Sequence, residues 1–365
     1  MVPRTMKAVV LTGHGDLDKL VYREDVPVPQ PAAGEVLIEV SACGMNNTDV
    51  WVRQAAYGTD EDPKAPSSWR RGANTLTFPR IQGTDSAGRI VAVGSGVPAS
   101  RIGERVMVDF SIYNAEDDSL ADIDYFGHGR DGGYSEYQVI PAENAHVVKT
   151  AMTDAELATF CCAYLTGEHM LDRARVAAGE RVLITGASGG VGSGLVQLCR
   201  ARGAIPYAVV GAGKEDAVRA LGAEAVITRG GNLYSDVRDA LGGKPLDVVA
   251  DLVAGPLFND LLRLLRPEGR YTTAGAIGGP VVQLDLRTLY LKHLEMHGSS
   301  QGTRGAFRRL VSYIEAGKIK AVLAGTYKLS DFHRAQRDFM SKGFVGKLVV
   351  VPDARWETVG RATAR

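Results

Sequence analysis

The first third of the chain alternates short apolar runs with turn residues, which is the pattern of a β-rich region. Each run is rich in Val and Ile and is bounded by Gly, Pro or Asp, as strands usually are. We predict strands at 7–11, 34–42, 88–93, 105–110 and 134–140. Many short strands of this kind form a small barrel or a curled sheet. Two polar stretches, 56–80 and 111–131, interrupt the strands and predict long surface loops.

From residue 153 the pattern changes to alternating helices and strands. Thr153 and Glu156 have the capping-box spacing of a helix N-terminus, and an apolar helical pattern continues to about Val176. Beyond it we predict strands at 181–185, 205–210, 224–228, 247–252 and 270–274, with helices at 191–202, 215–221 and 257–265. Alternation of this kind is typical of an α/β domain with a parallel, doubly wound sheet.

The last stretch, 307–351, predicts two helices and a closing strand at 347–351. One helix ends before Gly317 and the other covers 331–340. This stretch need not belong to the sheet domain. The tail from Pro352 has little periodicity, and we expect it to be frayed.

Composition and charge limit the classes of function. A chain of 365 residues exceeds what one hydrophobic core usually organises, so two domains are expected. Lys plus Arg equal Asp plus Glu at 42 each, so no net charge attracts nucleic acid or acidic lipid. With no long apolar run, no signal-peptide core and four unpaired cysteines, we expect a cytoplasmic protein that has reduced thiols and no membrane span.

A glycine-rich turn connects the strand at 181–185 to the helix at 191–202. It consists of Gly186, Ala187, Ser188, Gly189, Gly190, Val191 and Gly192. Gly189 and Gly192 match the second and third glycines of the dinucleotide-binding pattern, and Ala187 takes the place of the first. The second glycine lets the backbone approach a pyrophosphate, and the third lets the helix pack on the strand. The alternative is a glycine turn that binds nothing.

The residues about 20 positions farther on predict which cofactor binds. An acidic residue there would hold the ribose of NAD, but the second strand ends in Gly211, Ala212 and Gly213, followed by Lys214. A loop of small residues that ends in Lys accommodates a 2′-phosphate, and Arg229 after the third strand adds a second cation. We therefore expect NADPH rather than NADH. The alternative for both residues is a solvated surface charge.

The order of these features along nearly the whole chain resembles the medium-chain dehydrogenase/reductase superfamily. The segments that carry the resemblance are 6–9, 29–40, 83–103, 179–192 and 346–350. It implies a β-rich, GroES-like catalytic domain from residues 1–149 and 301–365, and a dinucleotide-binding Rossmann domain from 150–300. It also implies cofactor contacts by Thr166 and Gly275, and a homodimer that pairs along the apolar segment 281–297.

The zinc-dependent members of that superfamily carry ligands in C-H-T-D and G-H-E motifs and at a later Cys. Here the motifs read Asn46-Asn47-Thr48-Asp49 and Gly83-Thr84-Asp85, and only Cys162 is kept. An amide, a hydroxyl and one thiol make a poor zinc site, so we expect no metal. The pattern resembles the quinone oxidoreductase branch, in which an Asn stands at position 46.

Without a metal, hydrogen-bond donors must polarise the acceptor, and we expect Asn46 and Thr48 in that role. The branch has a Tyr five residues after the Asn, where this chain has Trp51, whose indole donates one hydrogen bond but is no acid. The alternatives are purely structural. Asn46 and Thr48 would cap a turn, Trp51 would occupy a core position, and Cys162 would be buried and unreactive.

Together, these patterns predict a zinc-independent oxidoreductase that transfers hydride from NADPH to a small molecule, a quinone or an α,β-unsaturated carbonyl. A reductase of enoyl-CoA thioesters is a second possibility. Its support is a basic set in the first loop, namely Lys64, Arg70, Arg71 and Arg80. An alcohol dehydrogenase-like enzyme of the same superfamily and a non-catalytic NADPH-binding protein also remain open.

Overall fold

The computed structural model describes residues 2–57, 76–113, 119–120 and 123–360. The chain forms two compact units, one made of Met1–Cys162, Leu323–Gly343 and Lys347–Arg365, the other of Ala163–Val322 and Phe344–Gly346. The domain boundaries expected from the sequence lie earlier, after residues 149 and 300. One reason is an ion pair between Arg105 and Asp154, 2.6 Å apart, which ties the segment after residue 150 to the first unit.

The secondary structure follows in chain order. The strands of the first part are β1 (Thr5–Leu11), β2 (Leu20–Pro27), β3 (Glu35–Gly44), β4 (Arg80–Ile81), β5 (Asp85–Val93), β6 (Arg105–Val108), β7 (Ser111–Tyr113), β8 (Ile123–Tyr125), β9 (Tyr137–Pro141) and β10 (Ala145–Val147), and the helices are α1 (Asn47–Arg53) and α2 (Asp154–Leu157). The middle part contains α3 (Cys161–Arg173), β11 (Arg181–Ile184), α4 (Gly190–Ala201), β12 (Ile205–Val210), α5 (Glu215–Arg219), β13 (Ala225–Thr228), α6 (Leu233–Leu241), β14 (Leu246–Asp251), α7 (Phe258–Leu264), β15 (Leu265–Thr273), α8 (Leu286–Leu291), β16 (Glu295–Gly298) and α9 (Arg304–Glu315). The last part contains β17 (Leu323–Lys328), α10 (Phe332–Ser341) and β18 (Lys347–Val351).

A seven-stranded sheet forms the core of the first unit. Its order is β10-β6-β5-β3-β18-β17, with β9 also paired to β3. The central strand β3 is apolar at most positions, and Ile38 on it faces Ile90 of β5. Val36, Val106 and Phe126 belong to the same packed cluster as these two residues. The strand β18 pairs antiparallel with the last residues of β3, Cys43 and Gly44.

The second unit contains six parallel strands in the order β13-β12-β11-β14-β15-β16. This is the 3-2-1-4-5-6 order of a dinucleotide-binding sheet, so the prediction of a parallel, doubly wound sheet is confirmed. The strand order reverses between β11 and β14, and ligands of such sheets bind outside the carboxyl ends of the strands at that point. None of the described helices has the length and apolar character needed to cross a membrane.

Three sequence predictions differ from the structure. The single helix expected from 153 is split, because α2 ends at Leu157 and α3 begins at Cys161, although the predicted Thr153–Glu156 capping box is present. The stretch 111–131 is not wholly a surface loop, because β7 pairs with β8 and residues 123–126 are buried. The tail is not frayed up to residue 360, since the Thr326 hydroxyl donates to the Gly360 carbonyl over 2.8 Å.

Candidate active site

The first feature of the site is a buried ammonium group. Lys347 opens β18, and its Nζ donates to Asp85 Oδ2 over 2.7 Å and to Asn46 Oδ1 over 2.5 Å. The side chains of Lys347 and Asp85 are 3% and 0% exposed. Asn46 is buried between the end of β3 and the start of α1. The closing strand β18 and the N-terminal region that contains Asn46 and Asp85, far apart in sequence, therefore meet at one charge pair.

Hydrogen bonds extend from this pair to the other two positions at which the resemblance placed zinc ligands. Asn46 Nδ2 donates to Thr84 Oγ1 over 2.8 Å, and Thr84 Oγ1 donates to Asp85 Oδ1 over 3.1 Å. The backbone N–H of Cys162 also donates to Asp85 Oδ1, over 2.7 Å. The Asp85 carboxylate is thus bonded on both oxygens. The structure brings together positions 46, 84 and 162 around a side-chain cation.

This set of groups does not suit a zinc ion. Zinc binds thiolate, imidazole or carboxylate, whereas position 46 offers an amide and position 84 a hydroxyl. Burial, and then the nearby Asp85 charge, raise the pKa of the Cys162 thiol well above its ordinary value, so the thiol keeps its proton. The Asp85 carboxylate is already neutralised by Lys347. Among the residues that the structure describes, no three His, Cys, Asp or Glu side chains are arranged to hold a metal.

The helix α1 carries the other two candidate catalytic residues. Thr48 is half-buried, and its Oγ1 lies 3.0 Å from the hydroxyl of Tyr125 in β8. Trp51 is also half-buried and packs edge-to-face on Tyr57, with ring centroids 5.5 Å apart. Asn46, Thr48 and Trp51 thus lie at the start or in the body of one short helix.

Buried polar contacts fix this helix in place. The Asp49 carboxylate accepts from the backbone N–H of Asn46 over 2.8 Å and from the Tyr134 hydroxyl over 2.6 Å. Burial raises the pKa of Asp49 to about 6, although these two hydrogen bonds oppose the shift. At the other end of the helix, the buried Arg53 guanidinium donates to the Gly15 carbonyl over 2.7 Å.

In the second unit, the glycine turn lies between β11 and α4. Gly186 has a φ of +59°, which favours glycine. A Cβ atom at Gly192 would lie 2.3 Å from the Gly186 carbonyl oxygen, so the first turn of α4 lies too close to the loop for a side chain at this position. At Gly189 a Cβ atom would meet only that same oxygen, at 3.5 Å. The backbone at Gly189 is therefore open to a ligand.

The position of this turn fits a pyrophosphate. Ala187, Ser188, Gly190 and Val191 fill the rest of the turn and the first residues of α4. Within the described residues, no side chain caps this helix, so its first N–H groups are available to an anion. The Ala187 N–H donates to the Val209 carbonyl of β12 over 3.1 Å, which keeps the turn beside the strand that precedes Lys214.

The two predicted phosphate-binding cations follow β12 and β13. Lys214 is half-buried at the start of α5, and Arg229 is exposed after β13. Arg229 Nη2 lies 4.0 Å from the Cβ position of Gly211, so the guanidinium flanks the loop of small residues. Lys214 is followed directly by an acid, Glu215. Its carboxylate accepts from Thr228 Oγ1 over 2.8 Å, and backbone N–H groups at the helix start lower its pKa.

A buried carboxylate that sequence reasoning missed organises the end of β14. Asp251 accepts from the hydroxyls of Thr185, over 2.5 Å, and Tyr271, over 2.6 Å. It also accepts from the N–H of Ala254, which has φ +55° and ψ −139°. A carboxylate at a strand end could have indicated this arrangement, because the loops there border the switch point of the sheet.

The remaining candidate cofactor residues lie in the same unit. Thr166 is buried on α3. The Gly275 carbonyl accepts from Thr273 Oγ1 over 3.2 Å, and its Cα faces the Leu252 carbonyl, which a Cβ atom would approach to 3.1 Å. Gly275 thus belongs to the loop that follows β15, at the same edge of the sheet as the Asp251 turn.

A parallel sheet of this order with a glycine turn after its first strand defines a dinucleotide-binding fold, and the β-rich unit has its own family match. Residues 32–150 match the alcohol dehydrogenase GroES-like domain, and residues 190–316 match the zinc-binding dehydrogenase family. The chain belongs to the medium-chain dehydrogenase/reductase superfamily, and it is an oxidoreductase of that superfamily. The predicted superfamily and the GroES-like plus Rossmann fold are confirmed.

Three relatives illustrate the range of its similarities. A crystal structure of a protein from Sinorhizobium meliloti, provisionally named an alcohol dehydrogenase, is 74% identical, with a TM-score of 0.94 over 96% of this chain and 98% of that one. Rat quinone oxidoreductase is 28% identical over 95% of this chain and 98% of its own length. The 2-octenoyl-CoA carboxylase reductase CinF, solved with NADP and 2-octenoyl-CoA, is 25% identical, with a TM-score of 0.83 over 100% of this chain and 91% of that one.

Proposed function

We propose that this protein transfers hydride from NADPH to a quinone or an α,β-unsaturated carbonyl, without zinc. The observation that carries the proposal is the Lys347 ammonium, which is bonded to Asn46 and Asp85 among the positions that would hold zinc. A neutral amide and a hydroxyl remain there instead of a Lewis acid. Quinones and enones accept hydride at carbon and spread the charge onto oxygen, so hydrogen-bond donors suffice for them.

The second unit would hold the cofactor. The turn residues Ala187, Ser188, Gly189, Gly190, Val191 and Gly192 would bind its pyrophosphate. Lys214 and Arg229 would bind the 2′-phosphate, and Thr166 and Gly275 would contact the nicotinamide end. When bound, NADPH supplies the hydride.

The first unit would polarise the acceptor. One Asn46 amide hydrogen is bonded to Thr84, and the other faces the Gly44 carbonyl across 3.5 Å, which is a long contact that an acceptor oxygen can replace. Because Lys347 donates to Asn46 Oδ1, the NH₂ group is the end of the amide that is held away from Lys347. The Thr48 hydroxyl is the second donor, and Trp51 would form an apolar wall with one N–H.

A turnover screen tests the function. NADPH oxidation is measured with quinones, enones, aldehydes and enoyl-CoA thioesters, and we expect the fastest turnover with quinones or enones. Fastest turnover with enoyl-CoA would support the thioester reductase, for which the CinF structure is a precedent. Of the basic residues that favour that reductase, Arg80 pairs with Asp131 at 3.0 Å, and Lys64, Arg70 and Arg71 lie outside the described residues. Absence of oxidation with every acceptor would leave a binding protein and refute the proposal.

Variants of the donors separate catalysis from turn capping. Asn46→Ala and Thr48→Val should lower turnover more than NADPH affinity, by up to about 3 kcal/mol in activation free energy if the site is dry. Asn47→Ala is the matched control, since Asn47 lies on the same helix and its Oδ1 accepts a hydrogen bond from Lys342 over 2.7 Å. Unchanged hydride transfer with a lowered melting temperature would assign Asn46 and Thr48 to turn capping.

We also propose a cytoplasmic homodimer. The strand β16 ends the six-stranded sheet, and in the chain segment that leads into it Val281, Leu286 and Leu291 are 90%, 63% and 68% exposed. An apolar edge of this kind is usually covered, and a second copy of the chain would cover it symmetrically. Light scattering at micromolar concentration should give twice the mass of the chain, and Leu291→Glu should give a monomer. A monomeric wild type would contradict the proposal.

A further inference from the structure

The proposed reduction needs a proton as well as a hydride, and Trp51 cannot supply it. Hydride addition to the acceptor carbon leaves negative charge on its oxygen, which must then be protonated. An indole N–H is not an acid in this range. The structure offers another group, because the Thr48 hydroxyl lies 3.0 Å from the phenol oxygen of Tyr125.

The surroundings of Tyr125 hold its ring in one orientation. The residue is 4% exposed, and its ring packs edge-to-face on Phe110 with centroids 6.3 Å apart. On another side it packs against the His128 ring, with centroids 5.1 Å apart and planes tilted by 31°. The backbone N–H of Tyr125 donates to Asp124 Oδ1 over 2.7 Å, and His128 Nδ1 lies 2.9 Å from that same oxygen. A buried carboxylate and an imidazole therefore anchor the segment that carries the phenol.

We infer that Tyr125, acting through Thr48, supplies the proton that completes the reduction; the inference rests on the proposed function. As the hydride adds to the acceptor carbon, the electron pair of the polarised bond moves to oxygen. The oxygen takes the Thr48 hydroxyl proton, and Thr48 Oγ1 takes the phenol proton of Tyr125. The phenolate regains a proton from water before the next turnover.

The chemistry of the two hydroxyls suits this transfer. A Thr hydroxyl has one hydrogen and two lone pairs, so it can donate to the acceptor while it accepts from Tyr125. Phenols, hydroquinones and enols are acids of similar strength, so the free-energy change of proton transfer from one to another is small. Tyr125 is thus a positioning and proton-supplying residue behind Thr48.

The test compares two tyrosines on paired strands. Tyr125→Phe keeps the ring packing and removes only the hydroxyl. The matched control is Tyr113→Phe, because Tyr113 lies in the partner strand β7 and its hydroxyl donates to Asp109 Oδ2 over 3.0 Å. Turnover, KM for NADPH, melting temperature and the solvent deuterium isotope effect are measured for each variant with the best acceptor of the wild type.

We expect Tyr125→Phe to lower kcat by about 100-fold, the usual effect of losing general acid catalysis, with KM for NADPH unchanged. Its solvent isotope effect should differ from the wild-type value, whereas Tyr113→Phe should match the wild type in every readout. Thr48→Val combined with Tyr125→Phe should be no slower than the slower single variant, because both act on one proton path. Thr48→Ser should retain turnover.

The outcomes distinguish this inference from the function on which it rests. Wild-type oxidation of NADPH, together with a Tyr125→Phe variant that keeps kcat within twofold and the same solvent isotope effect, would overturn the inference alone. A kcat loss that merely follows a loss of folded protein, or that is shared by Tyr113→Phe, would overturn it as well. A wild type that oxidises no NADPH with any acceptor would overturn both.

Discussion

Lys347 Nζ and Asp85 Oδ2 are 2.7 Å apart although 262 residues separate them in the chain. Neither side chain has appreciable contact with solvent. Removing two charges from water is costly, and the cost is offset only when geometry and further hydrogen bonds are favourable. Here Asn46, Thr84 and the Cys162 backbone provide those hydrogen bonds.

Replacing only Lys347 should lower the free energy of unfolding more than replacing both Lys347 and Asp85. Lys347→Met leaves Asp85 buried and unpaired, and we expect a loss of about 3–5 kcal/mol in unfolding free energy. Adding Asp85→Asn should restore much of that loss, because the unpaired charge is then gone. Urea denaturation of the wild type, both single variants and the double variant measures the coupling. Additive single effects would mean that the pair is not coupled.

The donor chemistry predicts that the protein is purified without zinc. Elemental analysis of purified protein should give far less than one zinc per chain, and chelators should leave NADPH oxidation unchanged, because an amide, a hydroxyl and a protonated thiol bind zinc poorly. One tightly held zinc per chain would refute this expectation.

The two glycines of the nucleotide turn should respond differently to alanine. Gly189→Ala has room for its Cβ, so we expect an unchanged melting temperature. We expect at least tenfold weaker NADPH binding, about 1.4 kcal/mol, because the methyl group would face the pyrophosphate at the proposed site. Gly192→Ala puts its Cβ into the Gly186 backbone and should cost about 1–3 kcal/mol of stability. Calorimetric titration and thermal melts separate the two effects. Normal NADPH affinity in Gly189→Ala would place the pyrophosphate elsewhere.

Cofactor preference should depend on Lys214. The wild type should bind NADPH more tightly than NADH, and Lys214→Ala should reduce that difference by about 1–2 kcal/mol, the scale of a charge-assisted hydrogen bond. Lys244→Ala, an exposed lysine in the same unit, is the control. Equal wild-type affinities for the two cofactors would argue against a 2′-phosphate site.

Asp49 should make stability depend on pH. Its pKa is about 6 in the folded protein and 3.8 as its ordinary value, so between these values the folded state binds the extra proton. The protonated Asp49 carboxyl therefore contributes its full share of the unfolding free energy below about pH 4, and this contribution is lost as the pH rises through 6. Relative to Asp49→Asn, the wild type should therefore lose up to about 3 kcal/mol over that interval.

Local features were readable from the sequence, and long-range ones were not. The glycine turn, the capping box at Thr153 and the alternation of strands with helices follow from spacing and periodicity, because neighbouring residues determine them. Lys347, which donates to Asn46, is 301 positions away in the sequence. The sequence indicates this contact only by placing a Lys at the start of an otherwise apolar closing strand. Tyr125 lies in a stretch whose polar composition indicates a loop, although tertiary packing buries it.

The strand β18 lies between β3 and β17 in the finished sheet, and ribosomes make it long after β3. Until residue 347 is synthesised, the end of β3 lacks its partner β18 and Asp85 lacks the Lys347 ammonium. The first unit therefore cannot complete its sheet during early translation. An mRNA truncated before codon 347 would yield a chain in which the Asp85 carboxylate lacks Lys347 and is exposed to solvent, and in which the edge of β3 is open. Quality-control proteases and chaperones recognise such features.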